Sequence, residues 1–221
     1  MTIVDLKVQG SRAAVLKSTV APSPRLESLR NTYGKLSSGD LLEVMVKRVF
    51  SGEIAVVSSF GAESAVLLHM IAEIDPTTPV IFLNTGKLFG ETLRYRDRLQ
   101  ERFGLTDLRA SAPHPADLTA QDPNGGLWST DPDACCFVRK VLPLERALAG
   151  FAAIITGRKR FQTNARAAMH ALEEEAVRVN VPPMAGAPRA TRFKINPLAQ
   201  WDQKELESYS ENHQLPRHPL V

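Results

Sequence analysis

The sequence predicts an α/β fold: an open, mostly parallel sheet with helices on both faces. Three observations carry that expectation. Short, almost wholly apolar runs at residues 54–59, 79–84 and 152–156 read as strands buried on both faces. Each run ends near a turn of small residues, at Gly61, at Thr85 and Gly86, and at Gly157. Segments with helical patterning lie between them, so strand and helix alternate as a parallel sheet requires.

At the N-terminus, residues 1–24 are poorly patterned, include Pro22 and Pro24, and read as a flexible arm. Residues 25–221 are expected to form one α/β domain. Residues 40–50 are apolar at helical spacing, with Ser37, Ser38 or Asp40 available as a cap. The strand at 54–59 leads through Gly61 into a helix at 64–74. The strand at 79–84 leads through Thr85 and Gly86 into an amphipathic helix at 88–103. A third strand is expected within 105–111. Residues 112–132, rich in Pro, Gly and Asp, read as a loop. Residues 136–148 read as a helix that Pro143 should shorten or kink. After the strand at 152–156 the pattern weakens. Residues 177–181 and 192–196 are expected to pair as strands around a loop at 182–190, and residues 201–210 to form a capped helix. There is no internal repeat and no low-complexity tract.

Composition narrows the function classes. No apolar run reaches the roughly 20 residues of a membrane span. The first seven residues lack a signal-peptide core. Two cysteines in 221 residues do not suggest a secreted disulfide scaffold, so a cytoplasmic, reducing setting is expected. The net charge of +3 is too small to indicate nucleic acid. The basic residues between Arg158 and Arg166 are locally dense, however, and point to an anionic ligand.

Three segments carry candidate chemistry. Ser58, Ser59, Phe60, Gly61, Ala62, Glu63 and Ser64 join a strand end to a helix start. Small residues there let backbone N–H groups approach an anion, and the helix start favours negative charge. A serine-capped turn explains the same residues equally well. The loop lacks the Gly-Lys-Ser/Thr ending of a Walker phosphate loop. The second segment, Thr156 to Arg166, again leaves a strand through a glycine, Gly157, and carries Arg158, Arg160 and Arg166. Guanidinium groups bind phosphate or sulfate oxygens in bidentate fashion; a solvated basic loop is the plain alternative, and Phe161 can simply pack. The third is the adjacent pair Cys135 and Cys136. Neighbouring cysteines fit disulfide geometry badly. They suit a metal or cluster, but the usual demand is four soft ligands, and this chain supplies two. On a helix Lys140 would share the face of Cys136, where its charge would stabilise thiolates or an anion, or it is a solvated lysine. The histidines, His69, His114, His170, His213 and His218, show no metal-ligand spacing, and His69 is expected to pack along its helix.

Taken together these residues resemble the adenylylsulfate reductases, the assimilatory branch of the phosphoadenylylsulfate reductase family. The Ser58–Ser64 loop is similar to the family's modified pyrophosphatase loop. Residues 82–92, with Leu83, Asn84, Thr85 and Gly86, are similar to its second strand-end motif, where Asp is common at the place of Asn84. Residues 133–140 resemble its cluster segment, and Thr156, Gly157, Arg158, Arg160, Gln162 and Arg166 its arginine loop. Residues 194–198 and Trp201 match the family segment on the C-terminal side of that loop. The similarity spans roughly residues 40 to 221.

The resemblance implies an adenine nucleotide alpha hydrolase-like, ATP pyrophosphatase-type fold. It implies that Ser58 to Ser64, Leu83, Thr85, Gly86, Lys140, Thr156, Gly157, Arg158, Arg160, Gln162 and Arg166 bind substrate, with Arg160 at the phosphosulfate end. The double cysteine marks family members that hold a 4Fe–4S cluster and use adenylylsulfate; Cys135 and Cys136 would be two of its four ligands. A cysteine near the family's C-terminus attacks the sulfur of adenylylsulfate and releases AMP, and thioredoxin then reduces the S-sulfocysteine to release sulfite. That tail, with a second cysteine pair, is expected beyond Val221, so no catalytic nucleophile is assigned within these residues. The implied partners are adenylylsulfate and thioredoxin, with no nucleic acid and no membrane; a homo-oligomer stays open. Two other readings stand beside this one. An ATP pyrophosphatase relative would adenylylate a substrate, although the loop lacks the Ser-Gly-Gly-x-Asp-Ser form such enzymes use. A non-catalytic nucleotide-binding remnant is the third.

Overall fold

The computed structural model describes residues 22–177 and 191–220. Most of the N-terminal arm, the larger part of the strand expected at 177–181 and the loop at 182–190 lie outside the described residues.

Four strands form the parallel centre: β1 (Ile54–Ser58), β2 (Val80–Leu83), β3 (Leu108–Ser111) and β4 (Ala153–Thr156). Two more, β5 (Leu172–Ala176) and β6 (Thr191–Ile195), complete a six-stranded sheet of order β3-β2-β1-β4-β6-β5. Only the β5–β6 pairing is antiparallel. The registers Ser58↔Phe82 and Val57↔Thr156 bring the carboxyl ends of β1, β2 and β4 to one edge.

Helices cover both faces. On one face α2 (Ser38–Val44) and α3 (Ser64–Ile74) pack on the sheet with α1 (Pro24–Tyr33), α4 (Gly90–Phe103) and α9 (Gln203–Asn212). There Leu42, Met45, Leu68, Ile71, Val80, Phe82 and Leu99 form the main core. The opposite face holds a smaller cluster, Ala55, Ile81, Leu148 and Ile154. Leu148 belongs to α8 (Leu142–Leu148).

Several expectations needed correction. Helix α1 begins at Pro24, where the expected arm ends: Ser23 accepts a hydrogen bond from the Leu26 amide and Pro24 occupies the first turn. Residues 112–132 are not all loop. They contain α5 (Pro115–Gln121) and α6 (Leu127–Thr130), neither of which buries a residue, so no apolar stripe marked them. The cysteine helix starts before residue 136: α7 (Pro132–Cys136) is capped by the Asp131 carboxylate, which accepts from Ala134 N–H at 3.0 Å. A π turn at Phe137–Val141 then joins α7 to α8. Pro143 stands in the first turn of α8, where its missing N–H is tolerated.

The antiparallel partner of β6 is Leu172–Ala176, five residues upstream of the strand expected at 177–181. Three consecutive glutamates in a strand run against propensity. Arg192 and Lys194 on β6 are buried, and both pair with Glu175; Arg192 also meets Glu145 of α8 at 3.0 Å. Buried cations require carboxylates, and that need sets the register.

Candidate functional site

In the order β3-β2-β1-β4 the chain leaves β1 toward β2 on one side and returns to β4 on the other. The crevice outside the carboxyl ends of β1 and β4 is therefore a topological switch point, where open α/β sheets bind ligands. A cavity of ≈ 470 Å³ lies there. Its walls are Ser58, Ser59, Gly61, Ala62, Glu63 and Ser64 from the first loop and Thr156, Gly157, Arg158, Gln162 and Arg166 from the second, with Val57, Leu67 and Lys159. The two segments singled out in the sequence thus meet at one place.

The first loop is anchored by a residue held in a costly conformation. Phe60 has φ 51°, a region bulky residues avoid. Its ring is fully buried and meets Phe82 edge-on at 5.3 Å between centroids. Its amide donates to Ser58 Oγ at 3.1 Å. Phe60 is consequently a prop under the cavity and not part of its wall. Ser64 Oγ donates to the Gly61 carbonyl at 2.5 Å, which closes the turn into α3. Glu63 occupies the N-cap position of α3, yet its side chain makes no cap hydrogen bond.

The Glu63 carboxylate points instead across the cavity. Its Oε2 accepts from Lys159 Nζ at 2.5 Å and from Gln162 Nε2 at 3.0 Å. Gln162 Oε1 in turn accepts from Arg166 and from the Lys159 amide. Glu63, Lys159, Gln162 and Arg166 thereby tie the two loops together. With Arg158 also on the wall, three cations face one carboxylate, and the start of α3 adds positive potential. The arrangement suits an oxyanion.

Thr156 is fixed from beneath. Its hydroxyl donates to Asn196 Oδ1 at 2.6 Å, and Asn196 Nδ2 donates to the His170 carbonyl and to Glu173. Asn196 has no exposed surface.

Other expected residues fall elsewhere. Arg160 does not line this cavity; its Nε donates to the Met169 carbonyl at 2.7 Å. Leu83 ends β2, and Thr85 and Gly86 form the turn after it, outside the cavity wall. The Thr85 carbonyl accepts from Arg139 Nη1 at 3.1 Å. Arg139 lies four residues after Cys135, in the π turn, and pairs with the buried Asp122 at 2.6 Å. The Arg139 hydrogen bonds, followed by the Leu127 amide, hold the Asp122 carboxyl below the usual carboxylate range. This pair fastens the cysteine helix to the turn after β2. Lys140 is exposed.

Cys135 is half-buried and Cys136 exposed, and both are free thiols. Among the described residues no three His, Cys, Asp or Glu side chains gather as a metal site. Two thiols are half of a four-thiolate set, so these residues alone do not fit a cluster. His69 packs as expected, against Phe103, Tyr209 and His213, with its Nδ1 2.9 Å from the Tyr209 hydroxyl.

Sequence reasoning missed Lys159, Asn196 and the Arg139–Asp122 pair as site-building groups. Nothing in the sequence set Lys159 apart from its basic neighbours. The backbone at Lys159 is extended, so neighbouring side chains point to opposite sides. Arg158 reaches the rim, Lys159 turns inward and Arg160 turns away.

Residues 53–221 match the phosphoadenosine phosphosulfate reductase domain. An adenosine 5'-phosphosulfate reductase from Mesorhizobium japonicum is 49% identical over 189 residues, which cover 86% of this chain and 69% of that protein. Among solved structures, a phosphoadenylyl-sulfate reductase from Candida auris in a phosphate complex superposes with a TM-score of 0.67 at 22% identity, covering 91% of this chain and 92% of that one. An FMN adenylyltransferase from Candida glabrata, in complex with FAD and pyrophosphate, gives a TM-score of 0.55 at 14% identity, over 92% of this chain and 64% of that one. These structural likenesses establish the adenine nucleotide alpha hydrolase-like fold.

Proposed function

The chain belongs to the phosphoadenosine phosphosulfate reductase domain family, and from that premise we propose that it takes part in the thioredoxin-dependent reduction of adenylylsulfate to sulfite and AMP. The observation that carries this reading is the cavity between β1 and β4, where Lys159, Arg158 and Arg166 face the start of α3. Such a site receives the anionic end of a nucleotide. The Cys135–Cys136 pair favours adenylylsulfate over its 3′-phosphorylated relative, as the family resemblance implies.

The chemistry divides into two steps. A cysteine thiolate attacks the sulfur of adenylylsulfate; an S–S bond forms, the S–O bond breaks and AMP leaves with the electron pair. One thioredoxin thiolate then attacks the enzyme sulfur and sulfite leaves with the electron pair; the second thioredoxin thiol resolves the mixed disulfide, which returns the enzyme cysteine as a thiol and leaves thioredoxin as its own disulfide. In this reading Arg158, Lys159 and Arg166 offset charge on the phosphosulfate and on the departing AMP. Ser58, Ser59, Gly61 and Ala62 let the backbone approach those oxygens, and Phe60 props the loop. Thr156 and Gly157 set the opposite wall. Leu83, Thr85 and Gly86 belong to the neighbouring strand end and Lys140 to the π turn after the cysteine helix, and this reading counts them as substrate contacts. In this reading Cys135 and Cys136 serve as cluster ligands and not as the nucleophile, a role that the family resemblance gives to a cysteine of a C-terminal tail. If a 4Fe–4S cluster is bound in this family's manner, Cys135 and Cys136 would be two of its ligands, and the group would supply fixed charge and structure near the substrate.

The test is direct. Protein prepared without oxygen, extended by the family's C-terminal segment, should release sulfite from adenylylsulfate with reduced thioredoxin, and prefer it to the 3′-phosphorylated nucleotide. Arg166→Ala should weaken adenylylsulfate binding more than adenosine binding; loss of one charge-assisted contact costs about 1.5–3 kcal/mol. Equal loss for both ligands would refute the anion assignment.

A further inference from the structure

Glu63 and Lys159 stand in an unequal relation. The Lys159 side chain is 3% exposed, that of Glu63 30%. A withdrawn ammonium needs a counter-charge, and its bond to Glu63 Oε2 supplies one. The carboxylate pays little to swing back into water, whereas the lysine has nowhere to go. Glu63 is also the N-cap residue of an eleven-residue helix that it does not cap. Its carboxylate is held off the α3 N–H groups by Lys159 and Gln162.

We propose that Glu63 is a displaceable counter-ion: it neutralises Lys159 in the empty cavity and yields that ammonium to the phosphate of an entering nucleotide. The inference rests on the reading of this cavity as the nucleotide's anion site. Binding is then an exchange of one anion for another. Two anions cannot share the ammonium without repulsion, so Glu63 turns toward solvent as the ligand arrives. Glu63 thereby lowers affinity for every anionic ligand, product AMP included, and keeps the empty site from holding a buried, unpaired charge. Lys159 contacts the ligand; Glu63 acts through Lys159 and is a positioning residue.

Calorimetric titration with AMP and with adenosine reads the exchange. Glu63→Gln should bind AMP about tenfold more tightly, a difference of about 1.4 kcal/mol, with adenosine within about twofold of wild type. The same variant should melt earlier than wild type when empty, and saturating AMP, but not adenosine, should restore the loss. Lys159→Met should weaken AMP binding and leave adenosine binding in place. A purely structural role for Glu63 would change both ligands alike. Wild-type protein offers a check that needs no variant to fold: the Lys159 ammonium ¹⁵N resonance should shift with AMP and stay fixed with adenosine. Unchanged or weaker AMP affinity in Glu63→Gln, or an ammonium signal that ignores saturating AMP, overturns the proposal. If wild type binds adenosine and AMP but the variant gains nothing, the counter-ion role alone fails. If wild type binds neither, the nucleotide reading fails and takes this inference with it.

Discussion

The β1–β4 crevice and the cysteine helix lie on the same edge of one sheet, but they are finished to different degrees. Around the crevice the charges have partners within the chain: Lys159 meets Glu63, Gln162 joins Arg166, and Thr156 rests on the fully buried Asn196. In the π turn after the cysteine helix Arg139 is buried and paired, whereas on the helix itself Cys135 is half-buried, Cys136 is exposed and both thiols are free. The crevice is pre-organised by its own residues. The helix is capped by Asp131, and its two thiols are free. Packing and polar satisfaction therefore separate a crevice whose charges are matched within the chain from a helix whose thiols have no bonded partner among the described residues.

The largest effect that would break this contrast comes from Phe60. Its ring is fully buried against Phe82. Phe60→Ala should cost about 3–5 kcal/mol of stability in denaturant titration, the usual range for a buried aromatic. AMP affinity should fall with it, because the same ring holds the first loop. A small stability loss with unchanged affinity would show that the loop is held by something else.

Asn196 comes next. Asn196→Ala leaves the Thr156 hydroxyl, the His170 carbonyl and the Glu173 carboxylate without their shared partner. A loss of about 1–3 kcal/mol is expected. Thr156→Val in the same background should restore part of it, since the orphaned hydroxyl is then gone. Strict additivity of the two substitutions would disprove the coupling.

A milder effect is expected from acid. Burial, with the nearby His213 and Arg102 in the same sense and Glu73 opposed, holds His69 below its ordinary value. The folded protein therefore favours the neutral ring, while the unfolded chain takes up a proton near pH 6.5. This contribution to stability is complete above about pH 6.5 and is lost as pH falls through that value toward the lowered folded one. Melting temperature should decline from about pH 7 to about pH 5, and His69→Gln should flatten that part of the curve. Since His69 packs against Tyr209 of α9, the loss should appear first where α9 meets α3.

Much of the fold was legible because the central strands are nearly pure apolar runs, and a buried parallel strand leaves little alternative. The site was legible in outline for a related reason: ligand loops come after strand ends, and both strands were marked. What escaped notice depends on partners distant in sequence. The glutamates of β5 become strand residues only because Arg192 and Lys194 are buried opposite them. Helix α1 shows the core only Leu26 and Leu29, too few to stand out. Helices α5 and α6 bury nothing. Lys159 looked like one basic residue among several until the extended backbone turned it inward.

The smallest expected effect sharpens the comparison most. Cys136 is exposed and Cys135 only half-buried, both thiols are free, and α7 is capped by Asp131 and followed by the Arg139–Asp122 pair. Cys135→Ser and Cys136→Ser should each change the stability of this chain by no more than about 0.5 kcal/mol. Both should leave AMP affinity at the crevice unchanged. In the protein carrying the family's further cysteines, the same substitutions should abolish bound iron, read by metal analysis after anaerobic purification. A stability loss above about 1 kcal/mol in the present chain would mean that the thiols are packing groups after all. Serine variants that retain full iron would show that the pair is not a ligand set, and the helix would then be a placed surface with some other purpose.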